Sequence, residues 1–156
     1  MKKLLVIAAV TAFVFGACSQ KDANTGATTS AKDVYGARGS DAGQAGALKT
    51  VNFDYDSANI TETGRAILKA NAEWLKANPK VKVQIEGHCD SRGTIEYNIA
   101  LGERRAISVK NYLAGLGVNK DNMSTISYGE ERPLDGAETE SAWAKNRRGN
   151  FVVVQK

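Results

Sequence analysis

The chain has 156 residues, 42% of them apolar, with 21 Lys+Arg against 17 Asp+Glu, two Cys and one His. That is material for one domain of ordinary size, and it excludes a multi-domain enzyme, a disulfide-stapled mini-protein and a multi-span membrane protein. The formal charge of +4 gives no support to nucleic acid as a partner: half of it sits on Lys2 and Lys3, and residues 50–156 are close to neutral.

Residues 1–17 have the build of a secretory signal peptide. A basic start at Lys2-Lys3 leads into an apolar run from Leu4 to Phe15 and ends on the small residues Gly16-Ala17. The run is too short for a bilayer span, which needs about 20 apolar residues. Phe15-Gly16-Ala17-Cys18 resembles a bacterial lipobox. That resemblance implies that Cys18 becomes the new N-terminus and is acylated, and Ser19 behind it points to the periplasmic face of the outer membrane. Two or three acyl chains hold a protein firmly where one alone is marginal. With Cys18 acylated, Cys89 has no intrachain disulfide partner, and a lone thiol in an oxidising compartment is expected to be buried.

Residues 18–49 read as a lipidated tether. Between Ser19 and Ala47, 18 of 29 residues are Ala, Gly, Ser or Thr, and Val34 and Tyr35 are the only larger apolar side chains. Such a segment buries too little surface to offset its ordering entropy. A flexible chain of this length spans roughly 30 Å.

The folded domain is expected over 50–156. Val51, Phe53 and Tyr55 alternate with Asn52 and Asp54 as in a half-buried strand. Asn59 or Thr61 can cap a helix carrying Ile67, Leu68, Trp74 and Leu75, which stops at Asn78-Pro79. Val81, Val83 and Ile85 alternate with Lys82, Gln84 and Glu86 as a second strand, and a glycine-bounded loop runs from Gly87 to Gly93. Thr94 caps a long helix whose apolar stripe is read as Ile95, Ile99, Gly102, Ala106, Val109, Leu113 and Leu116, ended by Gly117. A third strand fits Met123 to Tyr128, a short helix fits around Trp143 after a polar connection, and Phe151 to Val154 makes a last strand. The order predicts an α+β fold: two layers, with helices packed on one face of a mixed four-stranded sheet.

The densest polar stretch is Gly87 to Arg105. Asn98 and Arg105 lie two helical turns apart, and Asp90 sits in the loop feeding that helix. Both charged side chains are expected beside the apolar stripe rather than on it. A carboxylate, a carboxamide and a guanidinium converging at a helix start suit a zwitterionic ligand: Arg grips a carboxylate, Asp takes an ammonium, and free N–H groups attract an anion. His88-Cys89-Asp90 is a poor metal motif, because neighbours on extended chain point to opposite sides and no second ligand cluster exists. Glu86 and Asp90 could be imagined as the acid/base pair of a wall hydrolase. However, no Ser or Cys nucleophile arrangement accompanies them.

Phe53-Asp54-Tyr55-Asp56, Glu86 to Thr94, Tyr97-Asn98, Leu101 to Ala106, Ser127 to Glu130 and Asn146-Arg147-Arg148 together resemble the OmpA-like peptidoglycan-binding domain in order and spacing. The resemblance implies a non-enzymatic, cofactor-free domain that binds the meso-diaminopimelate of the peptidoglycan stem peptide. It carries the key Asp onto Asp90, the key Arg onto Arg105, the Asn onto Asn98 and a further acidic position onto Asp56. It also implies peptidoglycan, the outer membrane through the Cys18 anchor, and the periplasmic TolB propeller or other Tol or OmpA-like envelope proteins as partners. Arg147 and Arg148 are expected to be surface charges.

Overall fold

The structure is a computed structural model that describes residues 39–155. The expected signal peptide, the Cys18 anchor and the tether up to residue 38 lie outside the described residues. The elements run β1 (Val51–Asn52), α1 (Glu62–Ala77), β2 (Lys82–His88), α2 (Ile95–Gly115), β3 (Met123–Gly129), α3 (Glu140–Asn146) and β4 (Arg148–Gln155). The sheet order is β1-β4-β2-β3. β2 and β3 are parallel, joined by α2, while β4 runs antiparallel to both β1 and β2. The mixed sheet and its helical layer are those the sequence predicts.

Local chemistry sets the boundaries. Thr61 caps α1 by accepting from Gly64 N–H at 3.0 Å, and Thr94 caps α2 by accepting from Tyr97 N–H at 3.2 Å. Val83 and Ile85 of β2 and Phe151 of β4 point into the helical layer, where they meet Leu68, Leu75, Val109 and Leu113. Where α2 crosses β2 the two backbones touch. A Cβ on Gly87 would stand 1.9 Å from the Gly102 carbonyl oxygen, so only glycine allows this approach.

Two expectations are corrected. The first strand covers only Val51–Asn52 rather than 51–55. Beyond it the backbone serves arginines: the Phe53 carbonyl accepts from Arg147 Nε at 3.1 Å and the Asp54 carbonyl from Arg105 Nη2 at 3.0 Å. The folded body also starts earlier than residue 50. Residues 39–49 lie against the sheet edge, with Gly39 bridging Val152 and Ala45 and Leu48 buried in the core. Asp41 clamps Arg148 Nε at 2.6 Å and accepts from Thr50 at 2.6 Å, while Asn71 holds both backbone groups of Lys49. Small residues made this stretch read as tether, yet small size is what lets it lie close: Gly46 packs on the Trp74 ring.

Candidate ligand-binding site

The segment after β1, the loop after β2 and the first turns of α2 enclose a cavity of about 220 Å³. Asp56, Asp90, Asn98 and Arg105 all line it, with Tyr55, Cys89, Arg92, Tyr97 and Leu101 among the remaining walls. The four side chains singled out from sequence are thus brought together.

Their environments differ from the simple picture. Arg105 is fully buried, not a solvated neighbour of the apolar stripe. Its Nε donates to Ser57 O at 2.8 Å, Nη1 to His88 O at 2.8 Å and Cys89 Sγ at 3.4 Å, and Nη2 to Asp54 O at 3.0 Å. Four of its five N–H groups are therefore committed to holding two loops together, while the side chain also lines the cavity. Burial lowers its pKa from the ordinary arginine value.

Asp90 is buried as well. Burial alone would raise its pKa, but hydrogen bonds from the Arg92 side chain and backbone and from Arg147 overcome this and hold the carboxyl below its ordinary value. Arg92 Nη2 donates to Oδ2 at 2.7 Å, and Arg147 Nη1 reaches the same oxygen at 3.2 Å. The Asn98 amide nitrogen donates to the carbonyls of Asp90 and Arg92 and to the Glu130 carboxylate, which fixes the loop onto α2. Asp56 accepts from the Tyr97 hydroxyl and sits at φ +51°, a conformation uncommon for a residue with a Cβ. The Cys89 thiol is buried, as expected of a lone thiol, and burial pushes its pKa up to about 11, which leaves it unreactive.

Arg147 and Arg148 are not surface charges. Arg147 lies behind Asp90, and Arg148 pairs with Asp41. Arg92, Tyr55, Tyr97 and Trp143 are the site residues that sequence reasoning did not pick out. The available signal was an arginine two places after Asp90 and Tyr97 just beyond the loop, whereas Tyr55 and Trp143 reach Arg92 only through the fold.

Residues 52–147 match the OmpA family. The chain belongs to that family. Over 148 residues it is 44% identical to the peptidoglycan-associated lipoprotein of Haemophilus influenzae, covering 95% of this chain and 94% of that protein. The protein of the same name from Pasteurella multocida is 52% identical over 99 residues, which are 64% of this chain and 66% of the relative. In the crystal structure of the peptidoglycan-associated lipoprotein from Burkholderia pseudomallei the fold superposes with a TM-score of 0.65 at 40% identity. The match covers 67% of this chain and 88% of that one. The cavity of this OmpA-family domain lies within the matched span, as do Asp56, Asp90, Asn98 and Arg105.

Proposed function

We propose that this protein is an outer-membrane lipoprotein that binds peptidoglycan non-covalently through the meso-diaminopimelate of the stem peptide. The observation that carries the reading is the convergence of Asp56, Asp90, Asn98 and Arg105 on one cavity at the start of α2. Diaminopimelate presents an ammonium and a carboxylate on one side arm. Asp90 takes the ammonium, while Arg105 contributes its remaining N–H and its charge to the carboxylate. Asn98 holds the loop that carries Asp90, and Asp56 with Tyr97 forms the opposite wall. The names of the relatives from Haemophilus influenzae and Pasteurella multocida support the wall as the ligand.

The same reading makes the chain a component of the Tol-Pal system. Acylated Cys18 sits in the outer membrane, residues 19–38 supply reach to the wall, and TolB is the second partner. The consequence is a link that supports envelope integrity and outer-membrane invagination in division. Sedimentation with purified sacculi containing or lacking meso-diaminopimelate tests the ligand. Binding only to the former, with nothing released, is expected. Equal binding to both sinks the diaminopimelate assignment, and release of soluble fragments favours a hydrolase. Cys18→Ser is expected to free the protein from the membrane fraction, and retention there would refute the anchor.

A further inference from the structure

An ionised carboxylate offers about four lone-pair positions. At Asp90 all four are filled from within the chain. Oδ1 accepts from Arg92 N at 3.2 Å and Arg92 Nε at 3.3 Å, while Oδ2 accepts from Arg92 Nη2 at 2.7 Å and Arg147 Nη1 at 3.2 Å. A ligand ammonium has no free position on this carboxylate unless a donor leaves.

The two arginines are not equally free to leave. The Arg147 side chain is 9% exposed and also holds Phe53 O and Glu140. Arg92 is 29% exposed, lines the cavity, and is followed by Gly93 at φ +119°, a backbone state that glycine occupies freely. Its guanidinium is sandwiched between the Tyr55 ring at 4.0 Å and the Trp143 ring at 4.1 Å. Glu140, itself well exposed, already stands 3.6 Å from Nη1 as an alternative partner.

We propose that Arg92 is an internal stand-in for the ligand's ammonium and gates the site by competing with it for Asp90. This rests on the reading of Asp90 as the ammonium partner. Binding exchanges one cation for another on the same carboxylate, so the site keeps its charge balance. Arg92 swings toward Glu140 and leaves the faces of Tyr55 and Trp143 open to the apolar part of the incoming side arm. The stacking and the fork geometry set how tightly a ligand must bind to displace the latch.

The test uses the full-length chain in detergent and the tripeptide L-Ala-γ-D-Glu-meso-diaminopimelate, by titration calorimetry with thermal melts alongside. Arg92→Ala is expected to bind about three- to tenfold more tightly than wild type, the range of a partly exposed charge-assisted contact removed from competition. Arg92→Lys, which keeps the charge without the fork, is expected to fall between. Asp90→Asn is expected to lose binding with its fold retained. In a Trp74→Phe background, ligand is expected to change Trp143 fluorescence as the Arg92 guanidinium leaves the ring face. If Asp90→Asn loses binding while Arg92→Ala binds no better than wild type, the latch is overturned and the site stands. Wild-type binding by Asp90→Asn overturns both. A Trp143 signal unmoved at saturation also overturns the latch.

Discussion

The two halves of α2 are buried by different means. From Ala106 to Leu113 the helix packs apolar side chains against the sheet: Ala106, Val109 and Leu113 are each fully buried. From Ile95 to Arg105 it crosses the C-terminal ends of β2 and β3, where only glycines stand between the backbones, and its polar side chains meet the loops beyond. There Asn98, Leu101 and Arg105 are buried, while Ile95 is 54% exposed. A sheet presents side chains, so its partner is apolar. Loop ends present carbonyls with no ladder to join, so their partner must be a donor. The first kind of burial gives stability, and the second gives a cavity lined by fixed polar groups.

Gly87→Ala is the harshest test of the contact at which the two halves meet. Its Cβ would lie 1.9 Å from a backbone oxygen of α2, so the helix must move. A loss of more than about 4 kcal/mol in chemical denaturation is expected, and a near-normal melt would show that the helix has slack there. Methionine swaps separate the halves next. Leu113→Met is expected to cost under about 1.5 kcal/mol, because the core asks only for apolar volume. Arg105→Met is expected to cost about 3 kcal/mol, because it strands the carbonyls of Asp54, Ser57 and His88. Equal costs would dissolve the distinction.

A smaller effect belongs to His88, buried at the end of β2 with neither ring nitrogen hydrogen-bonded and Glu86 Oε2 3.6 Å away. Burial lowers its pKa from the ordinary 6.5, helped by Arg148 and opposed by Glu86. The unfolded chain therefore takes up the proton first. The stability contributed by neutral His88 is present above 6.5 and lost as the pH falls below it. Melting temperature is expected to drop between about pH 7 and 5 in wild type and less so in His88→Gln. Identical slopes would remove His88 from the account. Smallest of all is Gly115→Ala at the far end of α2. Nothing lies within 4 Å of the added Cβ, and a gain of about 0.5–1 kcal/mol is expected. A loss there would reveal a hidden packing constraint.

The same contrast explains what could be read from the sequence. Strand alternation and helix spacing report packing against a regular surface, so β2, α1, the core half of α2 and β4 were legible, and the motif order identified the family. Periodicity misled where the surface was irregular. Ile95 has the spacing of the stripe, yet it is more than half exposed. The charge of Arg105 predicts a place beside the stripe, but its burial is satisfied by backbone oxygens that no side-chain pattern announces. Asp90 was visible as a motif, but the arginines that saturate it come from positions 92 and 147, and only folding brings Arg147 behind the loop. The 39–49 segment escaped notice because its few anchors, Asp41, Ala45 and Leu48, are spread through small residues.

On the proposed function the ligand enters at the loop end of the sheet. At the opposite end a separate groove is lined by Leu75, Pro79, Val81, Val118 and Met123, which offers a built-in comparison. Amide chemical shifts of the full-length chain would be followed while the diaminopimelate tripeptide is added. Saturable shifts are expected at Asp56, Cys89 to Gly93, Tyr97 and Asn98, and none at Val81 or Val118. Shifts confined to the far groove, or no saturable shift at Asp90, would contradict the proposed function.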